Sequence, residues 1–454
     1  MYVHRSDCFP NWRLLRTPTF QPVRGMRDML PEDLEKRQFV IRVIRDMFKV
    51  YGYSEIATPV IESFELLSAK IGEEIRQRMY TFTDMGGRRV ALRPEMTAPV
   101  ARLVATKLRT AQKPLRLGYI ANCFRYDNPQ LGRYREFWQA GFELFGSGRP
   151  EADAEILIIS ADMMKRLGFL DYRFKIGQVE ILHGVLNREV SQADQNNIMS
   201  LIDKGRRTAA IELLTKLKVP KQDVDVIKKL FQLKGNNVAE ILSKGETVLS
   251  NYDASYDALV NLKEILEITK ASGAEFPTDV DLGFARGLEY YTGIIFETYV
   301  PKLNIALNGG GRYDKLVETF GGEPTPGVGC APGIDRIALA MEKGDFFPKK
   351  AVENRILIVP VGDGLRAKAF TVAASLIKSG LSAEVEVQGR GVKKALSYAN
   401  AKGCSFVVIV GLKELERGNL TVRDMKKEAQ EEVPVGKVVE WIWTSLKRLG
   451  SEEA

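Results

Sequence analysis

Histidine is almost missing from this chain: 454 residues contain two, His4 and His183. That excludes a His-x-x-x-His metal site and leaves any histidine acid–base chemistry to one of the two. His4 lies in an N-terminal segment without periodicity. His183 follows the apolar residues Val179, Ile181 and Leu182 and reads as a structural histidine. Cysteine is nearly as rare. Cys8, Cys123, Cys330 and Cys404 stand far apart with no Cys-x-x-Cys pair, which excludes a zinc ribbon or a disulfide framework and points to a reducing, cytoplasmic setting. Long apolar runs are absent too: stretches such as Val407–Val410 fall far short of the ~20 residues a membrane span needs. No apolar stretch follows Arg5, so the first residues do not form a secretory signal. Charge is only mildly one-sided, 66 Lys plus Arg against 58 Asp plus Glu, which permits a polyanionic partner without requiring one.

Against these absences, 45% hydrophobic and 27% charged residues describe an ordinary globular protein, and the length suggests about three folding units. Residues 1–20 lack a period and are expected to form a flexible extension. Pro31, then Glu32, Asp33 and Glu35, mark a helix start, and Val40, Val43, Ile44, Met47, Phe48 and Tyr51 share one helical face. From Gly52 to Gly146 short extended segments follow one another: Glu55–Thr58, Arg89–Leu92, Leu115–Phe124 and Phe137–Phe145. That spacing predicts antiparallel strands. A helix over Ala154–Leu167 and a strand over Tyr172–Ile176 come next. Residues 185–275 are lysine-rich and helical in period, which reads as an inserted helical domain, because strand-like segments resume at Asp279–Phe284 and Ile294–Val300. Beyond a linker at Lys343–Glu353, strands (Arg355–Val361, Ala383–Val387, Ser405–Val410) alternate with helices (Gly364–Ser379, Val392–Lys402), the pattern of a separate α/β domain. The expected class is α+β. An antiparallel-sheet core spans 21–184 and 276–345, the helical insertion spans 185–275, and the α/β domain spans 353–454.

Four clusters carry chemistry. Arg93-Pro94-Glu95-Met96-Thr97 lies at a strand-to-helix corner, where a carboxylate beside a hydroxyl can hold an ammonium group or cap the helix. Phe124–Glu143 reads as two strands around a turn; Phe137, Gln139, Gly141 and Glu143 share one strand face, and Arg125, Arg133 and Arg135 offer planar donors to phosphate oxygens. The third cluster joins Arg286–Gly293 to Asn308-Gly309-Gly310-Gly311-Arg312-Tyr313-Asp314, where three glycines let backbone approach a ligand. It is no Walker A loop, since Gly-Lys-Ser/Thr is missing. In the fourth, Gly327–Arg336 places glycines on a strand and an arginine at a helix start, a setting that suits a nucleotide.

In order and spacing these clusters resemble the class II aminoacyl-tRNA synthetases, and within them the histidyl-tRNA synthetase family. Pro59, within Gly52–Ile61, matches the dimer-forming first motif, Phe124–Glu143 the second and Gly327–Arg336 the third. Arg286–Tyr291 and Asn308–Asp314 match two signatures of the histidine-specific family. The resemblance implies a class II catalytic core with a C-terminal anticodon-binding domain, activating L-histidine with ATP and Mg2+ and transferring it to tRNA(His), in a cytoplasmic homodimer. It implies no protein-bound metal or organic cofactor.

Carried over residue by residue, Arg125 would contact the α-phosphate and the substrate carboxylate. Arg133 and Arg336 would hold the outer phosphates, with Glu136 beside them and Phe137 stacked on adenine. Arg286 would supply the charge near the α-phosphate that other class II enzymes take from a metal ion. Glu95, Thr97 and Gln139 would bind the α-amino group, and Glu143 and Tyr291 the two imidazole nitrogens, with Tyr290 and Tyr313 lining the pocket. Asp335 stands where the class usually has Glu, Glu289 where the family often has Asp, and Pro332 stiffens a stretch that is often glycine-rich. In the last domain Arg390, Lys393, Lys394, Lys402 and Lys413 are candidates for RNA contact or for a plain solvated face. Two other classes share the fold: a regulatory paralogue that associates with ATP phosphoribosyltransferase, and non-catalytic RNA-binding or sensor modules. Such paralogues typically lack the C-terminal domain and lose catalytic arginines; Arg125, Arg286 and Arg336 are all present here.

Overall fold

The structure is a computed structural model and describes residues 20–186, 190–286, 289–301, 303, 305–348 and 354–452. The N-terminal extension up to residue 19, with His4 and Cys8, lies outside the described residues, as do Gly287 and Leu288 of the third cluster and residues 349–353 of the linker. Two compact units divide between Phe347 and Pro348.

In the first unit the helix Pro31–Val50 forms as its sequence dictates. Pro31 stands in the first turn, Glu32 and Asp33 lie at the positive end, and Lys49 lies at the negative end. Its buried face is Val40, Ile41, Ile44, Met47 and Phe48; Ile41 takes the place in the core that the periodicity gave to Val43, which is only partly buried.

A sheet of nine strands forms the floor of this unit. In spatial order they are Ser54–Glu55, Leu115–Phe124, Glu136–Phe145, Gly327–Cys330, Ile305–Arg312, Ile294–Val300, Arg173–Gln178, Thr278–Asp281 and Lys234–Gly235. Neighbours run antiparallel except Ser54–Glu55 with Leu115–Phe124, and Arg173–Gln178 with Thr278–Asp281. The segment Glu55–Thr58 contributes a shorter strand than its composition predicts: the strand is Ser54–Glu55, and the Ile56 N–H adds one more bond, to the Gly118 carbonyl at 2.8 Å. The sheet's longest pairing is the hairpin of the second and third strands, paired without a slip from Leu115↔Phe145 to Phe124↔Glu136. A period-two strand puts alternate residues on one face, so this register fixes which side chains share the floor of any site above it. A small sheet, Ile61–Ser63, Arg89–Leu92 and Thr81–Thr83, stands beside it.

The helices of residues 192–271 belong to this same unit. Asp253–Ala271 packs against both Pro150–Arg166 and Val179–Leu186. Lys221–Gln232 turns Val224, Val226, Ile227, Leu230 and Phe231 inward. One hydrophobic core runs from Val40 through Phe142, Phe174 and Phe296 to Leu230 and Leu262. Each such side chain, fully buried, stabilises by roughly 1.5–3 kcal/mol.

The second unit has its own core, with Ile356, Leu376, Phe406, Val408, Leu420 and Ile442 at the centre. Its sheet runs Ser382–Val385, Arg355–Pro360, Phe406–Val410, Asn419–Asp424, Gln430–Pro434. The first three strands are parallel, joined by the helices Arg366–Lys378 and Val392–Ala401; the last two form an antiparallel hairpin.

Candidate active site

Above the long hairpin of the first unit lies a cavity of about 370 Å³. Every one of the four clusters reaches it. Its walls include Glu95, Thr97, Arg125, Arg133, Phe137, Gln139, Arg286, Tyr290, Tyr291, Tyr313 and Arg336. Two expected residues do not line it. Glu143 lies just beneath, bonded to Thr97 and Tyr313, which do. Glu136 accepts a hydrogen bond from Asn122 Nδ2 at 3.0 Å.

One end of the cavity is deeply buried. Glu95 accepts from the backbone N–H groups of Thr97 (2.6 Å) and Ala98 (2.9 Å), so it caps the helix Thr97–Ala105 while also facing the cavity. The helix-start contact is one of the two readings that pentapeptide allows, and the same carboxylate lines the cavity. Glu143 is 1% exposed; Thr97 Oγ1 donates to its Oε1 at 3.1 Å and Tyr313 donates to its Oε2. Burial pushes this carboxyl up to about 8, and it pushes the Glu95 carboxyl and the Tyr290 and Tyr313 phenols upward as well. A Cβ on Gly329, the cross-strand partner of Glu143, would sit 1.9 Å from Glu143 Oε2, so only glycine leaves room for the carboxylate.

At the other end stand guanidinium groups. Arg125 donates from Nε to the Pro94 carbonyl at 2.8 Å and lies 5.3 Å from the Phe137 ring centroid. Arg336 donates to the Ala306 carbonyl at 3.1 Å, and burial followed by the like charges of Arg133 and Arg125 lowers its pKa. Arg133 lies 3.3 Å from Asp127. Arg286 donates to the Phe296 carbonyl at 2.8 Å and lies 3.5 Å from Glu297. Gly309 makes that possible, since a Cβ there would sit 2.2 Å from Arg286 Nη1. Such a group of donors around one space suits a polyphosphate.

Some functional neighbours have no local sequence signal. Asp335 gathers Arg27, Arg37 (3.2 Å) and the backbone N–H of Trp138 (2.6 Å), tying the start of the chain to the second and fourth clusters across some 300 residues. Asp127 accepts from Arg78 at 3.0 Å, and Arg78 lies 2.6 Å from Glu74. Arg312 forms a buried pair with Asp153 at 2.9 Å, and burial raises the Asp153 carboxyl to about 6 even so. His183 Nδ1 lies 2.6 Å from Gln195 Oε1 within the helical segment. Among the described residues no three His, Cys, Asp or Glu side chains are grouped to hold a metal ion.

In the second unit Lys393, Lys394, Lys402 and Lys413 are exposed; Arg390 is bound to Glu386 at 2.9 Å and lies over the Tyr398 ring.

A family model for histidyl-tRNA synthetase matches residues 25–337, which take in the whole cavity and more than half of the chain. The chain belongs to the histidyl-tRNA synthetase family. An anticodon-binding-domain model matches residues 355–444 of the second unit. The histidine–tRNA ligase of Methanocaldococcus jannaschii is 46% identical over 409 residues, 89% of this chain and 95% of that one. Staphylococcus aureus histidyl-tRNA synthetase superposes with a TM-score of 0.71 at 25% identity, covering 93% of this chain and 99% of its own. A Bacillus halodurans chain described as an ATP phosphoribosyltransferase regulatory subunit/histidyl-tRNA synthetase superposes at 0.72 with 26% identity, covering 84% of this chain and 97% of its own. No helix among the described residues is long and apolar enough to cross a membrane.

Proposed function

We propose that this histidyl-tRNA synthetase runs both half-reactions of histidine–tRNA ligation in the cavity above the Leu115–Phe145 hairpin. In the first, a carboxylate oxygen of L-histidine attacks the α-phosphorus of MgATP and pyrophosphate leaves. In the second, a ribose hydroxyl at the 3′ end of tRNA(His) attacks the acyl carbon and AMP leaves. Neither displacement requires a protein nucleophile; what they require is alignment and neutralisation of negative charge. The observation that carries this reading is the gathering of all four clusters around one cavity, with buried carboxylates and phenols at one end and guanidinium groups at the other.

Each end has its task. Glu95, Thr97 and Gln139 receive the substrate ammonium. Glu143, Tyr290, Tyr291 and Tyr313 enclose the imidazole. With its carboxyl raised to about 8, Glu143 is mostly protonated in the empty pocket at neutral pH, and an imidazole N–H facing it favours the ionised form that accepts the hydrogen bond. An apolar analogue would leave these buried groups unpaired, which is the physical basis for rejecting it. Arg125 and Arg286 flank the α-phosphate, Arg133 and Arg336 take the outer phosphates with Glu136 beside them, and Phe137 stacks on adenine. The magnesium ion enters with ATP as part of the substrate.

The C-terminal unit, from residue 353, serves as the anticodon-binding domain, the helical segment 185–275 lies against the acceptor stem, and the enzyme works as a homodimer in the cytoplasm. Pyrophosphate exchange with ATP, run for each of the twenty amino acids without tRNA, tests the centre of this reading. Exchange with histidine alone is expected. Histidine binding without exchange would move the assignment to a regulatory paralogue.

A further inference from the structure

A buried tyrosine under the cavity has no task in the reading above. Tyr119 is fully shielded from solvent, in the middle of the strand Leu115–Phe124. Its cross-strand partner is Gly141, and the same register places Ala121 opposite Gln139 and Leu117 opposite Glu143. Directly opposed residues in a sheet share a face, so the phenol lies on the face that carries Gln139 and Glu143. It reaches across Gly141: a Cβ there would sit 2.2 Å from Tyr119 Cζ and 2.4 Å from its Oη. The hydroxyl therefore lies over the neighbouring strand, between the two side chains assigned to the ammonium and the imidazole. Among the described residues this oxygen has no hydrogen-bond partner. Burial, then the charges of Glu143 and Glu95, raises its pKa well above the ordinary tyrosine value, so it stays a neutral O–H. Buried hydroxyls are nearly always paired, and leaving one unpaired costs stability.

We propose that Tyr119 is a further histidine-binding residue, whose hydroxyl takes its hydrogen-bond partner from the bound substrate across the gap left by Gly141. The inference rests on the histidine reading of the cavity. It makes an unusual pairing of effects, because the hydroxyl burdens the empty enzyme and helps only the loaded one.

The test is Tyr119→Phe, which keeps the ring that fills the space over Gly141. In pyrophosphate exchange the KM for histidine should rise roughly three- to tenfold, the range for losing one hydrogen bond, while the KM for ATP stays within about twofold. The melting midpoint of the substrate-free variant should equal or exceed that of the wild type, and its rise on adding histidine should be smaller. An unchanged KM for histidine would overturn the proposal. So would a lowered midpoint of the free variant, with or without a change in KM, since the phenol would then have an internal water or a protein group as its partner. If the wild type itself shows no histidine-dependent exchange, the catalytic reading falls, and the histidine-induced midpoint shift of wild type against variant still decides whether this contact exists.

Discussion

The two ends of the cavity put burial to different uses on one sheet. At the histidine end, burial dominates: Glu143, 1% exposed, has its carboxyl pushed to about 8, and three tyrosines around it are driven up by the same desolvation. At the phosphate end, like charge is added to burial: Arg336 is lowered first by burial and then by its neighbours Arg133 and Arg125. The first end is designed around neutral groups that become charged or paired when a polar ring arrives. The second keeps fixed charges waiting for a polyanion. Discrimination among amino acids belongs where an unpaired buried group is costly, and phosphate binding belongs where charge remains partly solvated and exchangeable. Arg286 lines the same cavity, held by the Phe296 carbonyl and close to Glu297, and the proposed function sets it beside the reacting phosphorus.

The largest effect that can break this comparison is at that residue. Arg286→Ala should lower the rate of histidine-dependent pyrophosphate exchange by about 10²–10³, the usual cost of removing one group that stabilises developing charge, while calorimetry finds histidine affinity within a few-fold of wild type. A near-normal exchange rate would remove Arg286 from the α-phosphate. Next comes Glu143→Gln, which should reduce kcat/KM for histidine by about 10–100-fold, the range for a hydrogen bond to a charged group, and leave the KM for ATP in place. The same variant sharpens the claim about burial. The Glu143 carboxyl rises from an ordinary 4.5 to about 8, so between those values the folded chain holds a proton that the unfolded chain has released. The stability this contributes is intact below about pH 4.5 and is lost as pH climbs to about 8. Urea unfolding near pH 5 and pH 8 should show the wild type losing stability relative to Glu143→Gln, by at most about 4 kcal/mol. Parallel curves would mean the carboxyl is not raised.

What the sequence made legible follows the same division. The strand Leu115–Phe124 has the bounds its pattern predicts, and Glu136–Phe145 differs by one residue, because turn residues at Asn128, Pro129 and Gly132 separate the two. The resemblance, more than the periodicity, named most of the cavity's lining, since Arg125, Gln139 and Arg336 lie in contiguous motifs. Long-range convergence left no local trace. Nothing in Arg27 or Arg37 announces Asp335, and the tie from Asp127 through Arg78 to Glu74 depends on a loop meeting a short helix. Tyr119 was hidden differently, for it reads as one more apolar strand residue until the register sets it over a glycine. In the second unit the hairpin Asn419–Asp424 with Gln430–Pro434 carries no clear strand pattern, because its charged residues mask the inward Leu420, Val422 and Val433.

The smallest expected effect concerns Asp127, at the phosphate end. Its carboxylate is 8% exposed and binds Arg78 at 3.0 Å and Arg133 at 3.3 Å, while Arg133 itself is 43% exposed. Asp127→Asn keeps an acceptor for Arg78 and removes the charge. Two consequences oppose each other at Arg133. Released from a partly solvated ion pair worth about 0–1 kcal/mol, it is freer to meet a phosphate. It also loses its ordering, and immobilising a long side chain on binding costs about 0.5–1.5 kcal/mol. These terms nearly cancel, so the KM for ATP should shift by no more than about threefold, and the KM for histidine should not move. The salt dependence should be the clearer signal, since an unpaired Arg133 leaves more of its charge open to screening and the KM for ATP should climb more steeply with ionic strength. A change in the KM for ATP beyond tenfold at low salt would show that the phosphate end needs its carboxylates as rigidly as the histidine end needs Glu143, and the contrast between the two ends would not stand.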